Sequence, residues 1–156
     1  MSHAQDLAAY LAGPGLLRQA VAGMTEAELD ARPVPGKMST REVVCHVADF
    51  EPVYADRMKR ALAENEPPLR GGDPEQFRVA LAYDKRDVAV ELDLIELTRK
   101  QVARILENIP EEAWSRARIH SEAGPLSVAE LLKRITGHIP HHVAFISEKR
   151  AALGGD

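Results

Sequence analysis

Cysteine, aromatic residues and long apolar runs are scarce in this sequence. One cysteine, Cys45, stands among 156 residues, which excludes an intrachain disulfide framework and a paired-cysteine metal knuckle. A metal site in this chain would therefore have to use imidazole and carboxylate ligands. No run of about 18 apolar residues is present, so the sequence predicts no membrane-spanning helix and no membrane partner.

The chain also lacks an excess of positive charge. Its formal net charge is −4, whereas nucleic-acid-binding surfaces are normally basic, so neither DNA nor RNA is an expected partner. The opening residues, MSHAQDLAAYLAGPG, have neither the basic start nor the continuous apolar stretch of a signal peptide, which predicts a cytoplasmic protein. With 45% apolar and 28% charged residues, the length predicts a single globular domain spanning residues 1–156.

What the sequence does contain is helical periodicity. Apolar residues recur at spacings of three and four along most of the chain. Capping-box patterns, STRE at 39–42 and SVAE at 127–130, mark two helix starts, and TEAE at 25–28 indicates a short helix. The predicted long helices cover residues 3–22, 39–63, 85–109 and 127–151.

Proline and glycine predict local breaks in these helices. Gly13-Pro14-Gly15 predicts an interruption of the first helix, and Pro52 and Pro140 predict kinks in the second and fourth, because proline removes a backbone donor.

Four such helices, with 4% aromatic residues and no alternating strand pattern, predict an all-α four-helix bundle without a β-sheet. The second helix is expected to run antiparallel to the fourth. The link at 65–84, at ~3.3 Å per extended residue, can reach beyond the ~39 Å length of a 26-residue helix. The second and third helices can therefore run parallel, joined by a crossover connection.

Histidines are concentrated near the end of the chain, in TGHIPHHVAF at 136–145. His138 and His142, four residues apart, lie on one helical face, while His141 points elsewhere. Two imidazoles do not complete a metal site, and His46, on the apolar face of the second helix, is the natural third ligand. Asp49, three residues further on, can orient an imidazole or serve as another ligand. Spacing alone also allows these histidines to be ordinary core residues.

Two stretches, RPVPGKMSTREVVCHVADFE at 32–51 and GHIPHHVAFI at 137–146, together resemble the DinB/YfiT-like family. RPVPGKMSTREVVCHVADFE at 32–51 resembles the family stretch in which a proline-rich turn leads into a helix with a metal-binding histidine. GHIPHHVAFI at 137–146 resembles the family's C-terminal motif with two histidines four apart. The resemblance runs from about Tyr10 to Ile146, with Met38 in a position where the family usually has tryptophan.

This resemblance implies a bundle with crossover connections, often as a homodimer, and a divalent-metal site formed by His46, His138 and His142. Zinc or nickel is the expected ion, with iron or manganese as alternatives. Family members of assigned activity use the metal to bind a low-molecular-weight thiol, such as bacillithiol or mycothiol, and join it to an electrophile or isomerise a substrate. The expected function is therefore thiol transfer. A metal-dependent hydrolase and a non-catalytic, stress-associated metal-binding protein are the alternatives.

Two arginines are further candidate catalytic residues, together with Asp49. Arg57 and Arg99 occupy seam positions of the second and third helices, where a guanidinium can meet an anionic substrate or the carboxylate of a thiol above the metal. The alternative for both is a buried ion pair with a carboxylate such as Asp49, Glu51 or Asp93.

For two other residues, a functional interpretation stands beside a structural one. His120, in the link that contains Gly124-Pro125, is a candidate cofactor-binding residue at the mouth of the pocket; the alternative is a solvated loop histidine. Cys45 adjoins His46 in sequence, but neighbouring helix positions point ~100° apart, so it is predicted to be a small buried apolar residue.

Overall fold

The computed structural model describes residues 3–65, 71–120 and 124–154, without the side chains of 118–120. None of the helices in these ranges has the length and apolar character needed to cross a membrane. Each predicted boundary of a long helix lies within three residues of the observed one. The long helices are α1 His3–Val21, α3 Thr40–Ala63, α5 Val88–Leu106 and α6 Val128–Ala152, and the short ones are α2 Glu26–Asp30 and α4 Pro74–Ala80.

Three of the helices begin at capping boxes. The hydroxyl groups of Thr25, Ser39 and Ser127 each accept a hydrogen bond from the backbone N–H three residues on, and the glutamate there reaches back to the cap. All three starts agree with the sequence patterns, and His46 consequently lies two turns inside α3.

The directions of the helices follow from two clusters of buried apolar residues. One cluster contains the beginnings of α1 and α6 and the ends of α3 and α5, while the other contains the opposite ends. Therefore α1 and α6 run in one direction, and α3 and α5 run in the other. The predicted antiparallel pairing of α3 with α6 and the parallel pairing of α3 with α5 are both confirmed. Representative residues are Leu7, Met58, Leu106 and Leu131 in the first cluster, and Leu17, Val43, Leu92 and Ile146 in the second.

The crossover between α3 and α5 contains more structure than the linker that the sequence predicted. Asp73 caps α4, whose first residue is Pro74, and a 3₁₀ turn follows at Tyr83–Lys85. The ring of Phe77 lies 5.3 Å from that of Phe50 on α3. A helix of seven residues is too short to show a periodic apolar seam, so the sequence pattern did not predict α4.

The expectation of no β-sheet was wrong for one segment outside the bundle. Strands β1 Ala117–His120 and β2 Gly124–Ser127 form an antiparallel hairpin, with Ala117 opposite Ser127 and His120 opposite Gly124. Strands of four residues give no recognisable alternation. The hairpin leads directly into α6 and leaves the four-helix arrangement intact.

The predicted interruption at Gly13-Pro14 was also wrong, because α1 continues through it. Pro14 has no N–H to offer the carbonyl of Tyr10, and that carbonyl accepts a 2.7 Å hydrogen bond from Nη1 of Arg99 instead. A Cβ atom on Gly13 would lie 2.2 Å from the same nitrogen. The Gly-Pro pair thus opens one face of α1 to an arginine of α5.

Candidate metal centre

Three histidines converge between α3 and α6. Nε2 of His138 lies 3.0 Å from Nε2 of His46 and 3.1 Å from Nε2 of His142. One ring nitrogen from each histidine lies within 4.8 Å of the other two. Two imidazoles bound to one ion at about 2.1 Å, with 90–110° between the bonds, have nitrogens roughly 3.0–3.4 Å apart. The observed separations around His138 match this spacing.

The histidines are uncharged at neutral pH. Burial lowers the pKa of His46 to about 4, against an opposing effect of Asp49. Burial first, and then the neighbouring histidines, lowers the pKa values of His138 and His142 to about 3. Since a neutral imidazole is the form that ligates a metal, the donor set fits a divalent ion such as Zn²⁺ or Ni²⁺.

Aromatic packing holds the three rings. Each Nδ1 atom is buried and has no hydrogen-bond partner among the described residues. The ring of His46 lies 4.7 Å from that of Phe50, and the ring of His142 lies 5.9 Å from that of Phe145. The histidine rings themselves meet edge to face, with centroids 4.6–5.0 Å apart. Ring orientation here depends on these contacts rather than on a carboxylate behind each ring.

Comparison with known proteins assigns the chain to a family. The family model of the DinB superfamily matches residues 9–146, which is most of the chain and includes all three histidines. This chain belongs to the DinB superfamily.

Relatives of this DinB protein include a Bacillus subtilis protein named "Putative metal-dependent hydrolase YfiT". It is 27% identical over 142 residues, which cover 90% of this chain and 80% of the relative. A Bacillus licheniformis relative, named with the same description, is 29% identical over 142 residues, 90% of this chain and 81% of its own. Both relatives are therefore described by name as metal-dependent.

Solved structures support the same fold. YfiT from Bacillus subtilis, whose four-helix bundle topology is described as unusual, matches with a TM-score of 0.91 at 24% identity, over 100% of this chain and 91% of that one. A mycothiol-dependent maleylpyruvate isomerase matches with a TM-score of 0.74 at 15% identity, over 92% of this chain and 60% of that one. The predicted four-helix bundle of the DinB type is confirmed.

Asp49 makes no described hydrogen bond to a histidine ring in this DinB protein. Its carboxylate accepts hydrogen bonds of 2.9 and 2.8 Å from Arg86, and Arg86 also donates to Glu91 at 2.9 and 2.5 Å. The predicted role of Asp49 as an orienting partner is replaced by an ion-pair network one turn from His46. The sequence did not predict Arg86 as a partner of Asp49, because a loop residue has no helical spacing that would relate it to α3.

Arg99 requires a correction. It is fully buried, with Nη2 2.5 Å from Glu51 Oε1 and 2.9 Å from the carbonyl of Ile135, and with its guanidinium 4.5 Å from the ring of Tyr10. With one carboxylate and two backbone carbonyls already on its guanidinium, Arg99 is a structural residue of the core rather than part of a substrate approach. The alternative interpretation, a buried ion pair with a carboxylate of α3, describes it.

Arg57 and His120 are not brought to the histidines by any described contact. Arg57 lies eleven residues after His46, roughly 16 Å along the axis of α3, and its guanidinium lies 4.8 Å from the ring of Tyr54. The backbone of His120 belongs to β1, but its side chain lies outside the described residues, so its proposed role stays a prediction.

Cys45 is an apolar core residue, as the sequence predicted. Its side chain is fully buried, and Sγ lies 3.5 Å from the carbonyl oxygen of Tyr83. Burial raises the pKa of the thiol to about 12, so Cys45 is neither a metal ligand nor a nucleophile at neutral pH.

Proposed function

We propose that this DinB protein is a metal-dependent enzyme that transfers a low-molecular-weight thiol to an electrophilic carbon. The supporting observation is the convergence of three neutral imidazoles, from His46, His138 and His142, a cluster to which no carboxylate of the described residues contributes. A divalent ion held by three neutral ligands keeps its positive charge and an open position, and so lowers the pKa of a thiol or water to supply a nucleophile at neutral pH.

The protein groups around the centre favour a thiol over water. Hydrolysis benefits from a general base, yet Asp49 and Glu51, the first two acidic residues after His46 on α3, are both engaged by arginines. A thiol, with a pKa of about 8.5, needs far less help to ionise than water, with a pKa of about 15.7. The name of the mycothiol-dependent isomerase, which has the same fold, also supports a thiol of the mycothiol or bacillithiol type.

In the proposed reaction the thiol releases its S–H proton to solvent and a sulfur–carbon bond forms. The electrophile expels a leaving group, which carries away the displaced electron pair. The contribution of the protein is to hold His46, His138 and His142 in fixed positions and to surround them with the apolar rings of Phe50 and Phe145, which limit access of water.

A hydrolase is the second candidate, since the relatives carry that description in their names. A purely structural role for a metal is less well supported. Apolar clusters join α3 and α6 on both sides of the histidine level, so the helices have contacts enough without an ion. The three histidines are therefore better interpreted as a binding site on a rigid scaffold than as a metal cross-link that holds the helices together.

The test begins with metal analysis of the purified protein by plasma mass spectrometry. Protein loaded with Zn²⁺ or Ni²⁺ is then assayed for transfer of bacillithiol, mycothiol and cysteine to bromobimane, and for hydrolysis of p-nitrophenyl esters. His142→Ala should lose metal and thiol transfer while retaining helicity by circular dichroism. His141→Ala is the matched control, because this exposed imidazole is outside the converging set.

Two results would overturn the proposal. Metal-dependent ester hydrolysis without thiol transfer would make the hydrolase the better description. Global unfolding of His142→Ala, with neither activity in the metal-loaded parent, would show that the metal is structural.

A further inference from the structure

A buried cation lies on the same stripe of α6 as two of the histidines. His138, His142, Phe145 and Lys149 follow one another at spacings of four, three and four, so they lie on one face of the helix. Lys149 is only 3% exposed, and its Nζ donates a 3.3 Å hydrogen bond to the carbonyl of Phe145. The ammonium is therefore turned back along α6 toward the histidines.

This cation has no counterion within the described part of the chain. No carboxylate there forms an ion pair with Lys149, and its sequence neighbour Glu148 is exposed and points ~100° away around the helix. An ammonium is rarely buried without a partner, because it loses its hydration. Burial lowers the pKa of Lys149, the charge of Glu148 opposes that shift and the charge of Lys37 adds to it. An anion placed beside the ammonium would raise that pKa again. The position is suited to an anionic group that arrives from outside.

A second lysine lies over the same aromatic ring. In the turn between α2 and α3, the N–H of Lys37 donates to the carbonyl of Val34 at 3.2 Å, and Gly36 supplies the positive φ of 73°. The turn places Nζ of Lys37 6.0 Å from the centroid of Phe145, and Nζ of Lys149 lies 5.8 Å from it. The same ring is 5.9 Å from the ring of His142.

We propose that Lys37 and Lys149 form a subsite for a carboxylate carried by the thiol or the electrophile that reacts at the histidine centre. The inference rests on the proposed function and names the substrate class of that site. Two cations flank one ring, and that ring adjoins a candidate metal ligand, so a small acid can span the distance between them. These lysines take the anion-binding role that the sequence suggested for Arg99, whereas the role of Arg57 stays a prediction.

The experiment compares probes that differ in charge. The thiol pair is 3-mercaptopropionate and neutral 2-mercaptoethanol, and the electrophile pair is iodoacetate and neutral iodoacetamide. KM and kcat are measured for the metal-loaded parent and for Lys149→Gln, Lys149→Arg and Lys37→Gln. Lys133→Gln, an exposed position on the same helix, is the matched control.

Loss of a charge-assisted contact should raise KM for the acidic member of one pair by about 10-fold to 100-fold in Lys149→Gln. KM for the neutral member, kcat and metal content should stay close to the parent values, and Lys149→Arg should recover most of the discrimination. The pair that responds identifies whether the carboxylate belongs to the thiol or to the electrophile.

Equal changes for acidic and neutral probes in Lys149→Gln would overturn the proposal. If that variant does not fold, Lys37→Gln decides, because Lys37 is exposed: an unchanged ratio of acidic to neutral KM would refute the subsite.

Binding by titration calorimetry separates this inference from the proposed function. Preference for 3-mercaptopropionate over 2-mercaptoethanol that is lost in Lys37→Gln would support the subsite even if no transfer occurs. Thiol transfer that is indifferent to charge, without that binding preference, would leave the function standing and remove the subsite.

Discussion

Replacing Arg99 with methionine tests whether the ion pair at the centre of the bundle is as enclosed as the structure shows. Methionine keeps most of the length of the side chain but removes the guanidinium. Glu51, which is fully buried, then loses its arginine partner, and the carbonyl of Tyr10 loses the donor that Pro14 cannot provide. The decrease in the free energy of unfolding should therefore be as large as for breaking a buried ion pair, and larger than for shortening a surface side chain.

Breaking a buried ion pair from one side costs about 3–5 kcal/mol. For a slope of about 2 kcal/mol per molar urea, the midpoint of unfolding should fall by roughly 2 M. Replacing both members, as Arg99→Met with Glu51→Leu, should recover much of the loss, because apolar residues of similar volume often substitute for a buried pair at little cost. The double-mutant cycle should therefore give a coupling energy of at least about 2 kcal/mol.

The loss should also depend on pH. Burial raises the pKa of Glu51, and Arg99 opposes that rise, so removing Arg99 should raise the pKa further. A carboxyl whose pKa is higher in the folded state binds more protons there, so its unfavourable effect grows as pH rises above the unfolded value. The deficit of Arg99→Met should be largest at pH 7 and should shrink toward pH 5.

The assay is urea unfolding followed by circular dichroism at several pH values, with the parent measured at each. Comparison with the parent removes the common part of the effect of the buried histidines, which destabilise both proteins as pH falls below 6.5. Because Arg99 contributes to the lowered pKa of His138, its removal should lessen this acid destabilisation and add to the shrinking of the deficit. Arg104→Met, at an exposed position of α5, is the control and should change little. A deficit below about 1 kcal/mol at pH 7, or one that grows in acid, would refute the reasoning.

Other predictions concern glycine, cysteine and metal. Gly13→Ala should lower the free energy of unfolding, measured in urea, by about 1–3 kcal/mol, because the new Cβ would lie 2.2 Å from Arg99. Gly15→Ala has open space around it and should raise the free energy of unfolding by up to about 1 kcal/mol in the same assay. Cys45 should resist a thiol reagent such as dithionitrobenzoate in the folded protein and react within seconds in denaturant; rapid reaction in the native state would contradict its burial. Zn²⁺ at 100 times its Kd should raise the free energy of unfolding by about 2.7 kcal/mol, and His142→Ala should abolish the rise in Tm.

The helices were predictable because their apolar seams are local. Spacings of three and four define α3, α5 and α6 within a few residues, and capping boxes mark the starts of α3 and α6. The spacing of His138 and His142 likewise lies within one helix. His46 is different, because it is 92 residues from His138, and the family resemblance rather than any local pattern joined the two.

The sequence could not identify which buried charges pair with each other. Asp49 and Glu51 were both plausible partners for Arg99, and only the packing of α5 against α3 assigns Glu51 to Arg99 and Asp49 to Arg86. Gly13-Pro14 was misread for the same reason, since its effect depends on a side chain from another helix. The identity of the metal and thiol, the homodimer and the cytoplasmic location stay predictions.

The pairing of α1 with α6 has a consequence for synthesis on the ribosome. These two helices pack against each other, and Arg150 near the end of α6 donates to the carbonyls of Ala20 and Ala22 at the end of α1. Roughly 130 residues separate Val21, where α1 ends, from Ala152, where α6 ends, which is about 7–26 s of translation at 5–20 residues per second. Until α6 emerges, the carbonyl of Ile135 is not available to Arg99, and His46 has neither of its histidine neighbours. The helices that are made first therefore keep part of their apolar surface uncovered until α6 has been made, so the core is completed only late in synthesis.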